Sequence, residues 1–326
     1  MNVPTRLSEE TTLALRCPRC RGSLGRTTEG FVCLQPGCSL EFPIVDGRPV
    51  LINEETSAFR ISEFTSKQAT TYRRQGDLEQ FFSAVIPQLD KNFIASRSYA
   101  RFAALFPLST RRSPILVVGC GDMGKGMSPI VDHPNLDVIN TDVYAGRSTD
   151  VICDGHDLPF ADHSFDGAII QAVLEHVADP PRCVDEIYRV LRPGAIVYAE
   201  TPFMQQVHGG PYDFTRFTHL GHRRLFRRFD EIESGAVAGA GTALAWSYQY
   251  FLLSFVRSHL ARSIVKAVAR LTAFWLKYFD YFLLNTPGAL DAASGCYFLG
   301  RKSDRVWSDR EIVQQYRGAG ATLVGH

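Results

Sequence analysis

Apolar runs and amphipathic stretches follow one another along most of this chain. Ile115-Leu116-Val117-Val118 is a continuous apolar run, the mark of a strand buried on both faces of a parallel sheet. Leu136–Asp142 is a second strand that ends on an acid, and further apolar runs begin at Val151 and Ala168. Pro181–Leu191 has helical spacing and leads into Ile196-Val197-Tyr198. Phe229–Val237 and Ser294–Arg301 are the last two predicted strands. Near the start, Glu41–Ile52 reads as a hairpin around Asp46-Gly47, a dipeptide that accepts the positive φ angles of a tight turn. Helix-like pieces fall at Leu78–Ile86 and Asp90–Phe106.

A long segment separates the last two strands. Gly235–Val256 carries no charge, which raises the question of a membrane span. Its glycines, with Ser247, Gln249 and Ser254, argue against one. The next stretch places Arg262, Lys266, Arg270 and Lys277 on one side of a helix. Val268, Leu271, Trp275, Tyr278 and Phe282 recur on the other, so this apolar face is expected to pack on the sheet.

Composition narrows the class. The chain has 326 residues, 45% hydrophobic and 21% charged, with a formal net charge of +1. That excludes a disordered, collagenous or polytopic membrane protein. The near-neutral total hides an uneven distribution. Phe214–Lys277 holds ten Lys/Arg against three acids, a net +7. Such a region suits an anionic substrate or a membrane surface. The N-terminus has no long apolar core after Arg6, so a cytoplasmic location is expected.

Four of the eight cysteines fall close together: Cys17, Cys20, Cys33 and Cys38, in the pattern C-x2-C-x12-C-x4-C. A reducing compartment does not keep disulfides, and four thiolates at this spacing suit a closed, structural zinc site. A stretch this short buries little core, so metal binding would supply its folding energy. A redox pair at Cys17 and Cys20 is the alternative. Cys120, Cys153, Cys183 and Cys296 sit singly among apolar residues and are expected in the core. The Cys17-Pro-Arg-Cys20 knuckle, the second cysteine pair and Phe42-Pro43-Ile44-Val45-Asp46-Gly47-Arg48-Pro49-Val50-Leu51-Ile52 resemble the small zinc ribbons related to the activator subunit of tRNA methyltransferases. The resemblance covers about residues 13–53.

The strand at 115–118 runs into Gly119-Cys120-Gly121, where glycines permit a tight turn and close backbone approach to a ligand. Asp142, at the end of the second strand, has the chemistry to hold the two hydroxyls of a ribose. Then come Asp154-Gly155, Leu158-Pro159-Phe160, Ser164-Phe165-Asp166, Leu174-Glu175-His176-Val177 and Arg189-Val190-Leu191-Arg192-Pro193-Gly194. In this order they resemble the class I S-adenosylmethionine-dependent methyltransferases, in particular the type 11 group, from about Ile115 to Thr218. The resemblance implies a Rossmann-like, mostly parallel seven-stranded α/β sheet in the order 3-2-1-4-5-7-6, with a helical insertion at about 241–288. It also implies that Gly119, Cys120 and Gly121 line the methionine part of the cofactor. Asp142 would hold the ribose, Asp154 and Gly155 would lie by the adenine, and Gln171 near the amino-acid end. Departures from the family pattern stand at Val117, where an acid is usual, and at Met123, with Gly124 one place late. Pro129 shortens the next helix, and the interval from Asp142 to Asp154 is too short for a crossover helix.

The division expected is a ribbon at 1–55, linker and helices at 56–112 and a methyltransferase domain at 113–326. Methyl transfer requires an aligned acceptor and, where needed, a base. His208 is the candidate base, with Tyr212 and Asp213 orienting the acceptor; Asp213 paired with Arg216 to close the loop is the alternative. The resemblance implies S-adenosylmethionine as cofactor and a small, lipid-linked or sugar-linked acceptor. An rRNA or tRNA base methyltransferase and a catalytically silent module whose ribbon recruits a protein partner are the rival expectations. No interleaved aromatic–basic platform for stacked bases is visible.

Overall fold

Eleven strands form one mixed sheet in the computed structural model, which describes residues 5–66, 87–89, 91–107, 109, 111–121 and 126–322. In chain order they are β1 (Leu24–Arg26), β2 (Gly30–Cys33), β3 (Glu41–Val45), β4 (Arg48–Leu51), β5 (Ser113–Val118) and β6 (Leu136–Asp142). β7 (Val151–Cys153), β8 (Phe165–Gln171), β9 (Leu191–Pro202), β10 (Phe229–Ala238) and β11 (Gly295–Lys302) follow. The order across the sheet is β1-β2-β3-β4-β7-β6-β5-β8-β9-β11-β10. β5 lies between β6 and β8 and is parallel to both, which explains why its side chains are apolar on both faces. β11 runs antiparallel between β9 and β10.

Alternate residues feed two layers of core. Leu116, Val118, Ala168, Ile170, Val197 and Ala199 face one side, with Cys183, Val184 and Ile187 of helix Pro180–Val190 packed over them. Asp179 caps that helix by accepting from the Arg182 amide at 3.2 Å, and proline opens its first turn. Ile115, Val117, Ile169, Ile196 and Tyr198 face the other side, under Tyr99 and Phe102 of helix Ala95–Ala103. All four single cysteines are buried.

The sheet has eleven strands, not the seven expected. The N-terminal hairpin forms as read, with Ile44 opposite Pro49 and positive φ at Asp46 and Gly47. Its second strand, β4, then pairs in parallel with β7, Val50 opposite Ile152 and Leu51 opposite Cys153. β7 would otherwise be an edge, and an unpaired edge leaves backbone groups open. Val50, Leu51, Ile52 and Ile152 become fully buried as a result, each contributing about 1.5–3 kcal/mol. Phe31 and Phe42 of the ribbon join the same core layer as Leu116 and Ile170.

β6 passes to β7 through residues 143–150 without a helix. None is needed, because Thr141 and Asp142 at the end of β6 pair with Val151 and Ile152 at the start of β7. The helix after β5 is only Ser128–Val131, with Pro129 in its first turn. The helical reading of Leu78–Ile86 and the departures at Met123 and Gly124 lie outside the described residues.

Between β10 and β11 stand helices Ala240–Leu253 and His259–Ala273. Buried Asp280 caps the first of them from a distance. Its carboxylate accepts from the amides of Gly239, Gly241 and Thr242 at 2.8–3.0 Å and from the Thr242 hydroxyl at 2.7 Å. The amphipathic pattern of the second helix is present but faces the opposite way from the expectation. Ala269, Ala273 and Lys277 are the buried positions, while Val268, Leu271, Trp275, Tyr278 and Phe282 are exposed. The small residues let the two helices approach closely, Ala273 packing with Ala245. The ammonium of Lys277 donates to the Gln88 carbonyl. Among the described residues, no helix is long and apolar enough to cross a membrane.

Candidate active site

The turn after β5 is built for close approach. Gly119 has φ +69°, and a Cβ there would come 2.2 Å from Val173 Cγ2. Gly121 has φ +51°, and among the described residues nothing lies within 4 Å of where its Cβ would be. The turn lies at the C-terminal ends of β5 and β6, where open α/β sheets take ligands. The amide of Gly121 donates to Asp142 Oδ2 at 2.7 Å, and the Tyr144 amide to Oδ1 at 2.9 Å. Burial pushes the Asp142 carboxyl above its ordinary range. Each oxygen keeps a lone pair for a hydroxyl donor. Cys120 is buried beside Thr149, and burial raises its thiol to about 12.

Asp154 is buried at the end of β7. Its carboxylate accepts from Ser57 Oγ at 2.6 Å and from the His156 amide at 3.0 Å, with His156 Nδ1 2.6 Å away. Gly155 packs against Cys183, whose Sγ would stand 3.0 Å from a Cβ. Gln171, at the end of β8, donates to Glu200 Oε2 at 2.8 Å and accepts from the Tyr99 hydroxyl. Glu200 also accepts from Asn92 and Tyr198, and burial holds its carboxyl above the ordinary range. The seven residues expected to line a cofactor therefore sit at the C-terminal ends of β5 to β8.

The ribbon and the segment after it take part in this region. Arg48 of β4 is buried and donates to the Thr149 carbonyl and the Gly146 carbonyl, both at 2.9 Å. It thereby fixes the loop that follows Asp142. Thr56 Oγ1 donates to Asp157 Oδ2 at 2.5 Å, and Phe59 stacks on Tyr212 with ring centroids 5.6 Å apart. Arg48 lay within the ribbon motif but was given no role there, and Ser57 and Phe59 belong to no recognisable motif.

The loop after β9 faces the same end of the sheet. Asp213 accepts from the amides of His208 and Gly209 at 2.8 and 3.0 Å and from both terminal nitrogens of Arg216. Despite its burial, these donors hold its carboxyl far below the ordinary range. The Asp213 carboxylate is thus engaged by Arg216 and by two backbone amides of its own loop. Arg216 also donates to the carbonyls of Gln205 and Gln206. A cleft of about 500 Å³ opens here, lined by Gln205, Gln206, Val207, Asp213, Thr215 and Tyr250 among others.

His208 turns its Nε2 toward Glu175 Oε1 at 3.8 Å, and His176 Nε2 lies 3.6 Å from the same oxygen. The Glu175 carboxylate beside it holds the His208 imidazole above its ordinary value. Glu175 and His176 follow Ala172, a non-glycine residue at φ +53° just after β8. Strain of that kind concentrates at functional sites. Sequence reasoning saw Leu174-Glu175-His176-Val177 as a motif and assigned its polar pair no role.

In the ribbon, the sulfurs of Cys17, Cys20, Cys33 and Cys38 all lie within 4.8 Å of one another. Cys17–Cys38 is 3.8 Å and Cys20–Cys33 is 3.4 Å. A tetrahedral zinc with bonds of about 2.3 Å sets its sulfurs about 3.8 Å apart, so the donor set fits. No sulfur is close enough to another for a disulfide. Burial pushes the Cys17 thiol up to about 12, so a thiolate there needs a cation.

Much of the basic excess at 214–277 is spent inside the fold. Arg223 is buried and donates to the carbonyls of Phe226 and Phe229. Arg224 and Arg227 meet Asp309, Arg228 meets Asp185, and Arg262 reaches the Leu253 and Val256 carbonyls.

A Rossmann-like sheet with its glycine turn and acids at one end defines a nucleotide-cofactor fold. Comparison with known proteins narrows this further. Residues 116–199 match the family described as methyltransferase domain. The chain is 34% identical over 94 residues to a demethylmenaquinone methyltransferase of Symbiobacterium thermophilum, covering 27% of this chain and 38% of that protein. It is 31% identical over 128 residues to an O-methyltransferase of Aspergillus nomiae, covering 34% and 56%. It spans less than two thirds of the length of either relative. Among solved structures it is similar to phosphoethanolamine N-methyltransferase 2 of Haemonchus contortus (17% identity, 70% of this chain and 58% of that one, TM-score 0.43). Over residues 116–199 the chain is similar to methyltransferase domains, and both of these curated relatives are methyltransferases. The four-cysteine module lies outside the matched residues.

Proposed function

We propose that this chain transfers a methyl group from S-adenosylmethionine to an acceptor presented at a lipid surface, and that its ribbon holds a structural zinc. The supporting observation is the helix Ala240–Leu253. Tyr250 on this helix lines the cleft beside the 205–216 loop, and Phe251 next to it is 61% exposed. The exposed apolar surface continues through Phe255, Leu260, Ile264 and Leu271. Arg257, Lys266 and Arg270 are interspersed with it, the composition of an interfacial helix. An acceptor with an apolar tail would rest on this surface with its reactive head in the cleft.

When bound, S-adenosylmethionine supplies an electrophilic methyl group on a sulfonium. Gly119–Gly121 would admit its amino-acid part, and Asp142 would hold its ribose. Gln171, kept in place by Glu200 and Tyr99, would border the amino-acid end. Asp154 and Gly155 would border the base. The loop closed by Asp213 and Arg216 fixes the cleft wall, so the acceptor meets a preorganised surface. The Glu175–His176–His208 cluster, beside the loop that lines the cleft, would receive the proton of an acceptor hydroxyl. The ribbon engages this chain's own sheet through β4, which supports a role in holding the cofactor edge.

The test supplies labelled S-adenosylmethionine to the zinc-replete chain with aqueous, RNA and lipid fractions of a cell extract. Label is expected in the lipid fraction. Gly119→Ala, which drives a methyl into Val173, is expected to abolish transfer and raise the Kd for the cofactor at least tenfold. Label in RNA or in water-soluble molecules alone would refute the lipid assignment. Absence of cofactor binding by calorimetry would refute methyl transfer.

A further inference from the structure

Glu175 poses a physical problem. Its side chain is 0% exposed, and neither carboxylate oxygen has a hydrogen-bond partner. A buried, uncompensated carboxylate is costly enough that such groups are paired or bind metal. Two imidazoles face it. His176 Nδ1 lies 2.7 Å from the Tyr212 carbonyl. His208 Nδ1 lies 3.2 Å from the Gln206 carbonyl, with Arg216 Nη2 slightly farther at 3.4 Å. A carbonyl only accepts, so each Nδ1 donates to it, and in the neutral ring Nε2 is then the nitrogen with the free lone pair. Both Nε2 atoms face Glu175 Oε1, at 3.6 and 3.8 Å. Three electron-rich atoms thus converge, all within 4.8 Å of one another.

We propose that Glu175, His176 and His208 form a second metal site, which takes one divalent first-row cation and presents it to an oxygen of the acceptor. Bonds of about 2.0–2.2 Å place neighbouring ligand atoms about 3.0–3.6 Å apart, so a small contraction closes the site. The Nδ1–carbonyl contacts are the outer-sphere bonds that orient ligating histidines. Gly209 permits the arrangement, since a Cβ there would come 2.5 Å from the His176 ring. Two nitrogens and one carboxylate, with no sulfur, suit Mn2+, Fe2+ or Zn2+ and distinguish this site from the thiolate ribbon. Three protein ligands leave open positions. The His208 side chain is 29% exposed, so these positions are reached from the loop that lines the cleft. The ligand class is therefore a hydroxylated or enolic acceptor; this part alone rests on the methyltransferase reading.

Mn2+ alone is the probe, because the ribbon thiolates prefer zinc. Titration of the full, zinc-replete chain with Mn2+, followed by loss of the free-ion electron paramagnetic resonance signal, is expected to show one ion per chain. Glu175→Gln and His208→Ala are each expected to weaken binding at least tenfold, with thermal melts recorded on both. His208→Ala removes a partly exposed ring and keeps the test decisive if Glu175→Gln fails to fold. Occupancy well below one ion per chain, or equal binding by folded His208→Ala, would overturn the site. S-adenosylmethionine binding is measured separately on the same protein. A chain that binds Mn2+ but no cofactor keeps the metal site and loses methyl transfer. A chain that binds cofactor but no Mn2+ does the reverse.

Discussion

His222 is wholly enclosed in helix His219–Leu225, edge-on to Phe226, with its Nε2 unpartnered. Burial lowers its pKa from 6.5 to about 3, and burial lowers that of neighbouring His219 to about 4. Above pH 6.5 both the folded and the unfolded imidazole are neutral, so neither group affects stability. Below 6.5 the unfolded chain binds the proton first, and stability falls until the folded values are reached. At pH 5 the His222 penalty is about 2 kcal/mol. His222→Gln is expected to narrow the difference in Tm between pH 7 and pH 5; an unchanged difference would contradict this. At this scale the sequence was legible wherever spacing carried chemistry, as in the four cysteines and in Asp142. Glu175 and His176 were passed over because their isolation from other donors arises only when the loop after β9 folds back onto them.

The pairing of β4 with β7 makes the ribbon part of the cofactor edge. Arg48 fixes the β6–β7 loop by donating to the Gly146 and Thr149 carbonyls behind Asp142. Arg48→Met leaves these buried acceptors without their donor, at about 1–3 kcal/mol. The expected results are a matching loss in urea denaturation and a several-fold weaker cofactor affinity by calorimetry. Loss of stability with unchanged affinity would uncouple the ribbon from the site. The hairpin was readable from Asp46-Gly47 because a tight turn is local. Its parallel partner was not, since Val50 meets Ile152 across about a hundred residues of chain.

Across the whole molecule, the exposed apolar surface is the feature with the largest consequence. Phe255 and Leu260 are 73% and 74% exposed. The double variant Phe255→Ser/Leu260→Ser is expected to reduce sedimentation with anionic vesicles at least fivefold, with S-adenosylmethionine affinity unchanged. Equal sedimentation of variant and wild type, or concentration-dependent self-association that the variant removes, would assign the surface to another partner.

The sequence by itself determined the α/β class, the ordered motifs of the cofactor fold, the four-cysteine cluster and the periodicity of the insertion. Each depends on local spacing or on an apolar pattern set by burial. Tertiary structure alone decided that the ribbon extends the sheet and that Asp213 is engaged by Arg216. It also brought Glu175 under two imidazoles and turned the insertion's aromatic face outward. These outcomes depend on which surfaces meet. Ala269 and Ala273 allowed a closer helix–helix approach than Leu271 and Trp275, so the small residues went inside and the large ones faced solvent.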